Sequence, residues 1–209
     1  MIVEKYRKSI IENGIKKGQD LRSISRKIFF IHKNFSLIDK EETEFGIKNE
    51  VAKYFKIHLN SIKTSGSSHI GYSIIKEKDF SEKTSDLDLA IISPKLYFEF
   101  WEFAYSATNG FKNLTYLPPE PEAEIKFKEY IMKGVINPKI FPIVSKDPSQ
   151  YNGYNDYINT NSLRIFFNRL SNNYSKNYKE INCFIYASEF FFESKQKELL
   201  EILKRKENL

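Results

Sequence analysis

The chain has almost no sulfur chemistry to offer. Cys183 is its only cysteine, so no intrachain disulfide can form, and with three histidines it shows no zinc-ligand spacing. Long apolar runs are also missing. Leu89–Ile92 and Phe190–Phe192 are among the longest, far below the roughly 20 residues that a membrane helix needs. The first residues, Met-Ile-Val-Glu-Lys-Tyr-Arg-Lys, lack the apolar centre of a signal peptide. All seven prolines fall between Pro94 and Pro148, and there is no repeat and no low-complexity tract. These absences lead us to expect a cytoplasmic protein with no membrane partner.

The 209 residues suit one domain, or one domain with a helical extension. With 41% hydrophobic residues there is enough apolar surface for a sizeable core, while 29% charged residues and a mean hydropathy of −0.50 point to a wet exterior. The net charge of +6 suits a polyanionic ligand such as a nucleotide or RNA, although lysine-rich surfaces also serve solubility. The proline distribution gives a proline-free front, a proline-punctuated middle and a helical tail, and we expect the chain to divide at about residue 110. Residues 1–110 would hold a core with N-terminal helices. Residues 111–209 would hold a proline-punctuated middle and a mainly helical C-terminal part, packed with the core as one unit.

Helical periodicity predicts helices over about 2–12, 20–33 and 40–56. Leu21, Ile24, Ile28 and Ile31 mark the second. Asp39 and Glu42 read as a capping box for the third. Strands are expected at 60–65, 85–92 and 181–187. Ser93-Pro94 reads as an N-cap followed by proline at the first helical position, opening a helix to about 106. Further helices are expected over 122–133, 155–171 and 188–206. The class is α+β, with few strands and many helices. Trp101 with Tyr97, Phe98 and Tyr105 follows helical spacing and reads as core, and Phe190, Phe191 and Phe192 read as packing of the closing helix.

The chemistry concentrates in Lys63-Thr-Ser-Gly66-Ser67-Ser68-His69-Ile-Gly71 and Ser85-Asp86-Leu87-Asp88-Leu89. Successive side chains on a strand point to opposite faces, so Asp86 and Asp88 share one face and Leu87, Leu89 and Ile91 the other. Two carboxylates held about 6–7 Å apart at Cα repel, and a divalent cation relieves the repulsion. Mg²⁺, a hard ion that prefers carboxylate and phosphate oxygens, suits them. A glycine after a strand lets backbone approach a ligand closely. Backbone N–H groups and the Ser67 and Ser68 hydroxyls could then meet phosphate oxygens.

These two runs resemble the nucleotidyltransferase superfamily typified by DNA polymerase β, whose motif is Gly-Ser, a spacer, then Ser-Asp-x-Asp entering an apolar run. The resemblance covers about residues 60–92, with weaker support to 106, and looks most like bacterial members from defence or toxin–antitoxin settings. It implies a small mixed sheet flanked by helices. It further implies NTP bound at Gly66, Ser67 and Ser68, and Mg²⁺ or Mn²⁺ at catalytic Asp86 and Asp88. The activity implied is transfer of NMP to a hydroxyl of RNA, protein or nucleotide with release of pyrophosphate. Two departures stand out. Eighteen residues separate Ser67 from Asp86, so 71–83 reads as an inserted hairpin or loop. The third acidic residue expected on a later strand is also not evident. Asn182 stands where it might have been, and Glu122, Glu124, Asp147 and Asp156 are the alternatives. Lys63, Lys76, Lys78 and Lys83 are close enough in sequence to reach phosphates. A catalytically degenerate relative that binds a nucleotide or a partner protein, or a simple nucleic-acid-binding module, stays open as an alternative.

Overall fold

A computed structural model of the chain describes residues 7–119, 122–142 and 154–208. The described chain opens with α1 (Arg7–Lys16) and α2 (Leu21–Arg26). Asp20 caps α2 by accepting the Ser23 N–H at 2.9 Å. α2 continues into a π-helical turn, Lys27–Ile31, closed by the His32 N–H on the Lys27 carbonyl. The wider winding alters the expected stripe: Ile24 and Ile28 are buried, as is Phe29, but Ile31 is left 79% exposed.

α3 (Glu41–Phe55) buries Ile47, Val51 and Phe55. The capping box expected from Asp39 and Glu42 does not form. Asp39 sits in a left-handed turn (φ 57°), and Lys40 is the residue at the helix entrance. An N-cap side chain needs extended backbone to reach the first turn, which Asp39 lacks. Three acids, Glu41, Glu42 and Glu44, instead complement the positive end of the helix.

β1 (Ile62–Ser65) leads directly into a short α4 (Gly66–Ile70). The 71–83 segment, expected as a hairpin or loop, holds a hairpin: β2 (Tyr72–Ser73) pairs antiparallel with β3 (Lys78–Asp79). β4 (Leu87–Ile92) follows, then α5 (Pro94–Ala107), whose Ser93 cap accepts the Leu96 N–H at 3.3 Å. α6 (Ala123–Met132) is followed by β5 (Val135–Ile136), a strand too short for periodicity to reveal. The helix expected from 155 begins later. Asp156–Ile158 form a 3₁₀ turn, and Asn159 then caps α7 (Thr160–Asn173). β6 (Ile181–Tyr186) and α8 (Glu189–Lys206) complete the described chain.

The main sheet is mixed, in the order β1-β4-β6-β5. β4 runs antiparallel to β1 and parallel to β6, and β5 is antiparallel to β6. Leu87, Leu89 and Ile91, with Ile181, Cys183 and Ile185, form one buried face against α3, α5 and α7. The other face carries Ala90 and Tyr186 and is covered by α1, α2 and α8, with Ile11, Ile28, Phe192 and Leu200 fully or almost fully buried. Each such aliphatic or aromatic side chain contributes about 1.5–3 kcal/mol on burial. The fold is thus mixed α+β, a small mixed sheet flanked by helices. Among the described residues no helix is long and apolar enough to cross a membrane.

Candidate functional site

The alternation of β4 positions the site. Because Leu87 and Leu89 are committed to one core, Asp88 must project from the opposite face. Asp86 precedes the strand by one residue, so the strand starts later than residue 85. The register then lays three residues across the sheet: Ser65 pairs with Asp88, and Asp88 pairs with Asn182. Asn182 donates its amide N–H to Asp88 Oδ1 at 3.5 Å, a long contact at the limit of a hydrogen bond. The position opposite the Asp-x-Asp carboxylates on β6 is therefore an amide.

Gly66 follows the last residue of β1 with φ +67°, and a Cβ placed there would stand 2.3 Å from Asp88 Oδ2. Only glycine lets the backbone come this close to the carboxylate while holding a left-handed conformation. Burial raises the pKa of Asp88 above its ordinary value. The Asn182 amide opposes that rise, and the charge of Asp86 reinforces it. Two buried oxygens nearby, Asp86 Oδ1 and Asn182 Oδ1, have no hydrogen-bond partner among the described residues. Buried oxygens normally find a donor. Two unpaired acceptors beside a burial-stressed carboxylate form a set that a hard cation would satisfy.

The site opens into a cavity of about 410 Å³. Gly66, Ser67, Asp86 and Asp88 line its floor, and the β2–β3 hairpin adds Ser73, Lys76 and Lys78. Lys179 reaches in from the loop before β6, which is tied to the approach to β4: the Lys179 N–H donates to the Ser85 carbonyl at 3.0 Å, and the Leu87 N–H to the Glu180 carbonyl at 2.8 Å. Sequence spacing did not single out Lys179, because it lies far along the chain from either motif. Among the described residues, Lys76, Lys78 and Lys179 have no carboxylate within 4.0 Å. The hairpin is itself held from behind: Lys206 near the end of α8 reaches the Ile74 and Ile75 carbonyls at 3.4 Å and pairs with Glu77.

Other candidates fall elsewhere. Ser68 is fully buried, and its hydroxyl donates to the Ser65 carbonyl at 3.1 Å, so it does not line the cavity. Lys63 lies 5.9 Å from the Phe30 ring, and Lys83 occupies a left-handed turn; neither lines the cavity. His69 is buried between Thr64 Oγ1 (2.7 Å) and the Ile28 carbonyl (2.8 Å) and stacks on Phe29. The carbonyl can only accept, so Nε2 carries the proton and Nδ1 accepts from Thr64. Burial pulls the His69 pKa down to about 3, making it a neutral structural group. Glu122 and Glu124 pair with Lys126 and Lys128 along α6. Asp147 lies outside the described residues, as does the side chain of Asp156. Of the α5 aromatics, Tyr97 is core, whereas Phe98 and Tyr105 are at least half exposed and Trp101 stacks on Tyr105. Of the closing phenylalanines, Phe192 is buried and Phe190 is 56% exposed.

Among the described residues no three His, Cys, Asp or Glu side chains are grouped to hold a metal ion. The site offers two carboxylates and the Asn182 amide oxygen. That set fits Mg²⁺, which commonly takes one or two protein carboxylates and completes its shell with water and phosphate oxygens. Comparison of the chain with protein families, with characterised proteins and with solved structures finds no match.

Proposed function

We propose that this chain is a metal-dependent nucleotidyltransferase of the polymerase β-like type, transferring NMP from an NTP to a hydroxyl acceptor. The observation that carries the reading is Gly66 backed against Asp88, with Asp86 alongside, at the floor of a lysine-lined cavity. Asp86, Asp88 and the Asn182 amide oxygen would hold Mg²⁺ or Mn²⁺. Such a cation supplies charge neutralisation for the triphosphate and polarises its phosphoryl oxygens. Lys76, Lys78 and Lys179 meet the remaining phosphate charge, and Ser67 orients the chain of phosphates with its hydroxyl and N–H. The acceptor oxygen bonds to the α-phosphorus as the bond to the pyrophosphate oxygen breaks, and the hydroxyl proton is released to water. The protein positions groups and balances charge, which is most of what phosphoryl transfer asks.

A second reading is favoured by one residue. Asn182 has no basic oxygen to take up a proton, so the chain could bind a nucleotide or a partner protein without turning it over. The test is pyrophosphate release from each of ATP, GTP, CTP and UTP with Mg²⁺ or Mn²⁺, using the wild type and the Asp86→Ala/Asp88→Ala double variant. Release that vanishes in the variant supports the transferase. Binding of an NTP without release, across a panel of hydroxyl acceptors, supports the degenerate reading. Neither binding nor release overturns the transferase and the nucleotide-binding form of the second reading.

A further inference from the structure

A second cavity, of about 370 Å³, lies against the other end of the Asp88–Asn182 pair. Asp88 lines the first cavity and Asn182 the second, and their side chains touch at 3.5 Å. The two cavities share this one contact at β6, the second lying toward the α7 side of the sheet, where Ile181 and Cys183 face, and the first toward the side of Asp88. The two linings differ in kind. The first is rich in hydroxyls and lysines. The second is mostly apolar, walled by Pro138, Leu163 and Phe167, with Arg164 and Asn168 exposed on α7 beside them. β5 pairs only with Ile185 and Tyr186, so the edge of β6 from Ile181 to Cys183 has no strand beside it among the described residues and borders this space.

We propose that the acceptor is a single nucleoside or nucleotide held in this second cavity, an inference that rests on the nucleotidyltransferase reading above. Phe167, half-buried beside Phe166 and Phe55, lines the cavity with an aromatic ring for a base to pack on. Asn168 presents a donor and an acceptor for a base edge. Arg164 has no carboxylate within 4.0 Å among the described residues and is left to meet a phosphate. Lys139 and Glu180, at the rim, are paired with each other at 2.7 Å, so the net charge of the lining is positive. That disfavours polycationic acceptors. The cavity volume is at the lower end of small-ligand sites, which fits one nucleotide unit better than a strand.

The experiment uses the full chain in EDTA, titrated by calorimetry with AMP, GMP, CMP and UMP in turn. At least one should bind, and Arg164→Ala and Phe167→Leu should each weaken it about tenfold. Phe167→Leu keeps apolar bulk but removes the ring face; should it fail to fold, Arg164→Ala, at an exposed position, decides alone. The proposal is overturned if none of the four binds, if both variants bind as the wild type does, or if Lys179→Ala weakens binding as much as Arg164→Ala. Failure of the nucleotidyltransferase reading would show separately, as loss of Mg²⁺-dependent NTP binding and of pyrophosphate release while monophosphate binding persists.

Discussion

Gly66 and Asp88 are locked together: an added Cβ on Gly66 would lie 2.3 Å from Asp88 Oδ2 and 3.2 Å from its Cγ. The pair joins the end of β1 to the middle of the site row, since Ser65, immediately before Gly66, is the register partner of Asp88. One residue therefore sets both the turn into α4 and the place of a carboxylate.

Gly66→Ala should be costly on two counts. It places a side chain at φ +67° and forces the Asp88 carboxylate to swing away. We expect about 2–4 kcal/mol of destabilisation together with weakened Mn²⁺ binding. Gly18→Ala is the control, because its φ of +71° is similar but nothing lies within 4 Å of the added Cβ. It should cost about 1–2 kcal/mol and leave Mn²⁺ binding alone. Urea denaturation and metal titration of the two variants separate backbone strain from the clash.

Asn182→Asp would complete a group of three acids around the site. Without metal, the added charge beside Asp88 should lower the melting temperature at neutral pH. With Mn²⁺, affinity should rise about tenfold and the melting temperature should exceed that of the wild type under the same conditions. Unchanged Mn²⁺ affinity would mean that Asn182 lies outside the cation's reach.

Lys179 is the cavity-lining cation that comes from far along the chain. Lys179→Ala should weaken NTP binding about tenfold, a loss typical of one charged contact. Lys63→Ala and Lys83→Ala, at positions that do not line the cavity, should change it less than about twofold. Equal effects from all three would point to diffuse surface charge instead.

His69 makes stability depend on pH in a window where carboxylates of ordinary pKa hardly titrate. Its folded pKa is pulled down to about 3, whereas the unfolded value is near 6.5. Between those values the unfolded chain binds the extra proton, so stability is full above pH 6.5 and falls as the pH drops below it. The expected loss from pH 7 to pH 5 is about 2 kcal/mol. His69→Gln, which can still donate to the Ile28 carbonyl and accept from Thr64, should flatten that slope in urea titrations at the two pH values. An undiminished slope would place its origin elsewhere.

Much of this protein is readable from local pattern. The period-two alternation of Leu87, Leu89 and Ile91 around Asp88 gives the strand and its two faces, because side-chain direction along a strand depends only on neighbouring residues. The Ser93-Pro94 cap and the α+β class follow from equally local chemistry, whereas the 71–83 segment reads as either a hairpin or a loop and only strand pairing makes it a hairpin. Local reading fails where backbone conformation overrides side-chain identity. Asp39 has a capping residue's chemistry but a left-handed backbone, and Ile31 keeps helical spacing across a turn that is no longer α-helical. Ser68 looks like a ligand group by sequence, yet packing turns it inward, and with it His69, to partners on β1 and on the turn after α2.

The sequence by itself determined that two carboxylates would stand on one side of an apolar strand, with a glycine turn before them. Only the tertiary structure decided what surrounds them. Asn182 meets Asp88 because β6 pairs parallel to β4 across a long helical crossover, and Lys179 arrives by the same route. Nothing local encodes that register. It is set by which apolar faces can be buried together, and a one-residue slip would turn Asn182 into the core and Cys183 toward the carboxylates.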